Sequence, residues 1–213
     1  MSAPDLSYAF VIFFLTLGPV KTIPVFFRLT MDATPRFRAK AALQSAGIAT
    51  GVCLSIAFVG VNILGKWRVS IDALRLAGGL ILLISALKVV TMQPQATGSA
   101  KVTAETPLSA TTALAFSPLT TPAIVTPYGV VAILFYMVIS KGNTDFQVKI
   151  IALIVLMMFL NYLGMIFADR IMKTVGFPIL RLIGWIFAVM QATLAIDIML
   201  RAFQSMGVIE KIS

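Results

Sequence analysis

Two interrupted apolar runs carry the residues of this chain whose types and spacing could do chemistry. The first, about Leu6 to Leu29, is broken by Gly18-Pro19-Val20-Lys21-Thr22-Ile23-Pro24; the other, Leu108 to Ile139, is broken from Ser117-Pro118 through Thr126-Pro127. Proline removes a backbone donor and clashes with the preceding turn, leaving carbonyls free. In hydrocarbon such a break survives only where protein or a watery cavity pairs the freed groups. Helix ends then face one another: N-termini suit a substrate carboxylate, and free carbonyls suit a cation or ammonium. Thr126-Pro127 fits an N-cap followed by the first helical residue, which would aim the N–H groups of Tyr128 and Gly129 at an anion. Gly18-Pro19 fits the same role, with N–H groups from Val20, Lys21 and Thr22. Two such starts would form a site for a small zwitterion. The competing reading is a set of proline kinks whose backbone is re-paired by neighbours.

Hydroxyls cluster at both breaks: Ser117, Thr120, Thr121, Thr126, Tyr128 and Thr22. They could bond a ligand or coupling ion, or bond back to carbonyls of their own helix. Lys21 places a charge near mid-membrane, where charges are costly and by default functional. It could bind a substrate carboxylate or replace a coupling cation by titrating; the alternatives are a snorkelling stem or a neutral amine. Asp197 could pair with Lys21 or an arginine, join a proton relay, or sit at headgroup level. The expected substrate-binding set is therefore Gly18, Pro19, Lys21, Thr22, Thr120, Thr121, Thr126, Pro127, Tyr128 and Gly129, with Asp197 as coupling or relay candidate. Arg75 and Arg181 read as interfacial anchors. Asn161 and Gln191 could join helices by hydrogen bonds, and Gly78-Gly79 and Gly184 could let helices pack closely.

The elements that must position these residues follow from composition. The 213 residues are 59% hydrophobic and only 12% charged, against roughly 45–50% and about 25% for a soluble domain. The natural solvent is lipid, and spans of about 20 apolar residues would use nearly the whole chain in six crossings. The net charge of +9 lies between apolar runs, where it orients loops against an anionic membrane face rather than marking a nucleic-acid binder. There is no His, so the usual general base, zinc ligand and Ser-His or Cys-His pairs are missing; the single Cys53 gives neither disulfide framework nor thiolate cluster. No metal, cofactor or catalytic group is expected. Met1-Ser2-Ala3-Pro4-Asp5 lacks a basic n-region and cleavage signal, so the first run is expected to stay in the mature protein.

Further runs cover Ala41 to Leu64, with a Gly47-Ile48-Ala49-Thr50-Gly51 pattern suited to close helix contact, then Ile71 to Met92, Val148 to Ala168 and Ile179 to Ala202. A basic connector, Arg28 to Lys40, precedes the second run. The polar stretch Gln93 to Pro107 reads as the one long loop. Leu74-Arg75-Leu76-Ala77-Gly78-Gly79 and Leu180-Arg181-Leu182-Ile183-Gly184-Trp185 open the third and sixth segments at an offset of 106, and Gly18-Pro19 answers Thr126-Pro127 at 108. Agreement of the two offsets implies a three-plus-three duplication. Three crossings per half is odd, so the second copy enters the membrane inverted.

The expectation is an all-α membrane protein: six transmembrane helices as two inverted three-helix repeats, segments one and four discontinuous. It forms a single transmembrane domain over 1–213, with repeat one about 1–92, loop about 93–107 and repeat two about 108–213. Seven flanking basic residues (Lys66, Arg68, Arg75, Lys141, Lys149, Arg201, Lys211) face one side and nine (Arg28, Arg36, Arg38, Lys40, Lys88, Lys101, Arg170, Lys173, Arg181) the other, which favours both termini outside.

Taken in order, these residues resemble the MarC family of bacterial integral membrane proteins, which includes small neutral amino acid transporters and is distantly similar to LysE-type exporters. Gly18-Pro19-Val20-Lys21-Thr22-Ile23-Pro24 matches the family's first-segment Asp-Pro-x-Gly-Asn-x-Pro. Leu74 to Gly79 matches its Phe-Arg-Ile-Ala-Gly-Gly, and Pro118 to Pro127 its Pro-Leu-x-x-Pro-x-x-x-Gly-Pro. Arg181-Leu182-Ile183-Gly184, Gln191 and Asp197 are similar to the sixth segment. Gly18, Lys21, Thr22 and Thr126 depart from the pattern, which has Asp, Gly, Asn and Gly there. The resemblance implies a six-helix inner-membrane protein of inverted repeats that transports small neutral amino acids such as glycine and alanine. The implied partners are the bilayer, that amino acid and a coupling proton or sodium, with no nucleic acid. A LysE-like exporter of other small solutes and a non-transporting accessory subunit are the alternatives.

Overall fold

The computed structural model describes residues 6–91 and 111–209, and every regular element among them is helical. The expected loop over 93–107 lies outside the described residues. α1 (Leu6–Leu17) ends because Pro19 offers no N–H, and Gly18 turns to extended backbone (φ −73°, ψ 165°) before α2 (Pro19–Thr30) begins. Gly18 stands at the middle of the 25-residue span Leu6–Thr30. The first break is therefore one residue long. Pro24, expected to share in it, lies inside α2.

α3 (Pro35–Ser55) starts where Thr34 accepts from Phe37 N with Pro35 at its first position. It runs through a π-type stretch, Ile56–Gly60, into α4 (Val61–Lys66). The basic connector expected over 28–40 is thus mostly helix: Arg28 closes α2 and Arg36, Arg38 and Lys40 ride on the start of α3. The Thr34-Pro35 start signal outweighs the local charge. α5 (Ile71–Thr91) carries Asp72 in its first turn and Lys88 in its last, each opposing the helix dipole.

The second break is deeper. α6 (Thr111–Leu114) opens into an irregular, widely wound stretch, Ala115–Ile124, in which Ser117 (φ −141°, ψ 127°) and Thr121 (φ −126°, ψ 120°) are extended. α7 (Pro127–Ile139) resumes after Thr126. α8 (Thr144–Ile166) is capped by Asn143, whose Oδ1 accepts from Phe146 N at 3.0 Å. α9 (Ala168–Ser205) follows at once, with Gly176 at φ 73°, a left-handed angle open to glycine. The stretch between the apolar runs ending at Ala168 and beginning at Ile179 is wound as helix up to that glycine.

Among the described residues, five helical stretches are long and apolar enough to cross a membrane: Leu6–Thr30, Pro35–Lys66, Ile71–Thr91, Thr144–Ile166 and Pro178–Ser205. Pro127–Ile139 is a shorter apolar helix. α5 packs along α9, α3 along α8, and α1 and α2 reach α7 and the irregular stretch. The core gathers Phe13, Leu17, Phe26, Phe37, Ile133, Ile150, Ile154, Met157 and Met158. Four ion pairs lie among the described residues: Arg38 with Asp169, Arg75 with Asp72, Lys149 with Asp145 and Arg201 with Asp197.

The glycines divide in an unexpected way. A Cβ at Gly79 would lie 2.4 Å from Met199 Cγ and 2.9 Å from the Ala195 carbonyl oxygen, so α5 and α9 meet backbone to backbone. At Gly47, Gly51 and Gly184 a Cβ would meet nothing within 4 Å. The close contact expected of these three is not made within the chain, because a small-residue pattern does not say which helix face has a neighbour. Gly79→Ala is accordingly expected to lower stability by about 1–3 kcal/mol through overpacking. Thermal melts in detergent should show the drop for Gly79→Ala and none for Gly47→Ala.

Candidate functional site

A helix that stops in hydrocarbon leaves its last four carbonyls without intrahelical donors, and each needs a partner. α1 answers this in full. The Phe14 carbonyl accepts from Gly18 N at 3.0 Å. The Leu15 carbonyl accepts from Gln191 Nε2 on α9. The Thr16 carbonyl accepts from Lys21 Nζ at 2.7 Å and from Thr126 Oγ1 at 3.1 Å. The Leu17 carbonyl accepts from Asn161 Nδ2 on α8 at 2.6 Å. Asn161, fully buried, also donates to the Met157 carbonyl and accepts from Thr22 Oγ1 at 2.7 Å. Three other segments therefore hold the end of α1 in place.

The two breaks touch each other. Besides the Thr126–Thr16 bond, Lys21 Nζ donates to Tyr128 Oη and lies 4.5 Å from the centre of that ring. Their helix starts, however, are not equivalent. Thr126 caps α7: its Oγ1 accepts from Gly129 N at 3.2 Å while its own hydroxyl donates across to Thr16. Gly18 has no side chain to cap α2, and no side-chain hydrogen bond closes its start.

Beside that open start lies a cavity of about 120 Å³. Gly18, Val20, Lys21 and Pro24 form one wall, Phe14 and Leu15 a second, and Leu180, Gly184, Phe187, Ala188 and Gln191 of α9 a third, with Val89 of α5 at the edge. Val89 is near the end of α5 and Leu180 near the start of the α9 span. The cavity thus runs from mid-depth toward the face bearing Arg28, Lys88 and Arg181. Arg181 there lies over the Trp185 ring at 5.1 Å.

Of the expected binding residues, Gly18 and Lys21 line this cavity, and Thr126 and Tyr128 reach Lys21 and its carbonyl partner from across the bundle. Thr22 is turned away to Asn161. Pro19 packs on Gly164, where a Cβ would lie 2.9 Å from Pro19 Cβ. Pro127 is exposed, and Gly129 gives its N–H to the cap rather than to an anion. Thr120 donates to the Ala115 and Ser45 carbonyls, at 2.7 and 3.3 Å, tying the irregular stretch to α3; Thr121 is exposed. Asp197 accepts from Arg201 Nε at 2.7 Å and from Tyr8 Oη at 3.2 Å, not from Lys21. Arg75 pairs with Asp72 and lies over the Phe135 ring. The α9 wall was not anticipated as part of the site. Gln191, a buried amide in an apolar run, was the signal available for it.

Residues 4–206 match the family model described as MarC family integral membrane protein. The chain belongs to the MarC family. Two curated relatives are both called UPF0056 membrane proteins and both come from Methanocaldococcus jannaschii. One is 30% identical over 176 residues, covering 81% of this chain and 84% of its own. The other is 35% identical over 75 residues, covering 35% of this chain and 33% of its own. No solved structure matches. In this MarC-family chain the matched region contains both breaks and every residue of the cavity wall.

Proposed function

We propose that this chain is a secondary carrier of small neutral amino acids, glycine- or alanine-like, working by alternating access. One observation carries the reading: the break at Gly18 touches the break ahead of Pro127 beside a small cavity lined, among the described residues, by one lysine. Discontinuous helices meeting near the bilayer midplane are the usual construction of a carrier site. The volume of about 120 Å³ falls below the roughly 300–1,000 Å³ of drug-sized pockets, which restricts the solute to a few heavy atoms. Lys21 and the open start of α2 suit a carboxylate, while the amide oxygen of Gln191 is an acceptor for an amine.

The packing of α5 on α9, of α3 on α8, and of the first segment on the fourth supports two related halves of three segments, the second inverted. Rocking one half against the other must exchange the Lys21–Tyr128 and Thr126–Thr16 bonds, and side-chain hydrogen bonds between membrane helices are weak enough on average to switch. A bacterial inner-membrane location with both termini outside, and coupling to a proton or sodium gradient, belong to the same proposal. No chemical transformation is assigned to the chain.

Proteoliposomes loaded with labelled glycine, alanine or serine test the reading. Uptake, exchange or efflux of at least one, altered by an imposed proton or sodium gradient, is expected. Counterflow driven by lysine instead would favour a LysE-like exporter of other solutes. Absence of flux for all three neutral amino acids would overturn the substrate assignment.

A further inference from the structure

Resting on the reading of the Lys21 cavity as the carrier site, we propose that it recognises the carboxylate alone, so that small monocarboxylates without an amino group bind where glycine does. Lys21 is the reason. Its partners are the Thr16 carbonyl, the Tyr128 hydroxyl and the Tyr128 ring, all uncharged. None of the four ion pairs among the described residues includes it. A desolvated ammonium held by neutral groups gains most from an incoming anion. It has three N–H groups, and the two oxygens use two of them. The third is left for a ligand.

The backbone adds to this on the same wall. Gly18, Val20 and Lys21 border the cavity, and α2 starts there without a side-chain cap. A carboxylate beside Lys21 would meet both the ammonium and the positive end of a twelve-residue helix.

The opposite wall offers an amine very little. The Leu15 carbonyl already accepts from Gln191 Nε2, and the Phe14 carbonyl beside it accepts from Gly18 N. No Asp or Glu among the described residues lines the cavity. Among the described residues Gln191 is the remaining polar side chain of the lining, and its Nε2 is committed to Leu15. What is left of the wall is aromatic and aliphatic. An amino group is accommodated there, at the Gln191 oxygen, but it does not anchor the ligand. The ligand class is therefore a monoanionic carboxylate of two or three carbons, amino acids included.

The test uses the whole protein in lipid nanodiscs, titrated by calorimetry with propionate, glycine, glycinamide and sodium chloride, alongside competition for labelled glycine uptake in proteoliposomes. Propionate is expected to bind within about tenfold of glycine, and glycinamide about a hundredfold more weakly, since it leaves the buried cation without an anion. Lys21→Met should abolish propionate binding, and Lys21→Arg should retain part of it with an unchanged melting profile. Glycinamide competing as well as propionate, or chloride displacing propionate at equal concentration, would overturn the inference. Glycine transport without propionate binding would overturn it while leaving the carrier reading intact. Propionate binding that is lost in Lys21→Met, with no amino acid flux, would uphold it and remove the amino acid carrier.

Discussion

Gly18→Ala is expected to leave little folded protein. The added Cβ would lie 2.0 Å from the Phe14 carbonyl oxygen, 2.9 Å from its carbon and 3.2 Å from Phe14 Cα. All three are backbone atoms of α1's last turn, fixed by the bond from Gly18 N, so no side-chain rotation relieves the contact. The turn itself must move. That turn holds the Leu15, Thr16 and Leu17 carbonyls against Gln191, Lys21, Thr126 and Asn161. Overpacking costs up to about 3 kcal/mol, and each buried carbonyl left unpaired adds about 1–3 kcal/mol. The sum consumes most of the roughly 5–15 kcal/mol that stabilises an ordinary domain. Fluorescence-detected size exclusion and a melt in detergent read the result directly. A wild-type profile for Gly18→Ala would mean that the break is loosely packed, contrary to this structure.

Asn161→Leu should be nearly as damaging although it preserves volume. Asn161 is fully buried, and its side chain joins the freed Leu17 carbonyl, the Met157 carbonyl and Thr22 at once. Leucine keeps the packing and removes all three bonds. A single interhelical side-chain bond in a membrane protein averages only about 0.6 kcal/mol in coupling energy. The larger part of the loss comes from orphaning Leu17's carbonyl and the Thr22 hydroxyl, at about 1–3 kcal/mol each. The expected total is about 2–5 kcal/mol. Thr22→Val in the Asn161→Leu background should recover part of it, because the orphaned hydroxyl is gone. Chemical denaturation of the two single variants and the double variant measures this; strict additivity would show that the Thr22–Asn161 bond is not energetically coupled.

These two residues show what a sequence can and cannot disclose. The breaks were legible because proline acts locally: Pro19 and Pro127 lack an N–H wherever they sit, and Thr126 advertises a cap. The identity of the groups that repair the break was not. Asn161 and Gln191 lie 144 and 176 residues from the carbonyls they satisfy, and only the folded bundle brings them together. Thr120 and Thr121 are adjacent and chemically alike, yet the first is buried against Ser45 and the second, extended at its backbone, is exposed.

The asymmetry of the two helix starts had the same origin. A threonine caps and a glycine does not, which was visible in the residues; that Thr126 would also reach Thr16 across the bundle was not. The expected symmetric pair of anion-binding starts thus becomes one sealed start and one open start with Lys21 beside it. Asp197 is a similar case. An acidic residue late in an apolar run reads as a relay or a headgroup contact, and only the fold shows its partners to be Arg201 and Tyr8 rather than Lys21.

Solid-state NMR on the protein in bilayers, with ¹⁵N-labelled lysine side chains and glycine labelled with ¹³C at its carboxyl carbon, tests the central claim most directly. Bound glycine should dephase one lysine nitrogen, and the same signal should be absent from Lys21→Met. Dephasing of no lysine under saturating glycine, or of a lysine that survives in Lys21→Met, would contradict a solute held where the two broken helices meet.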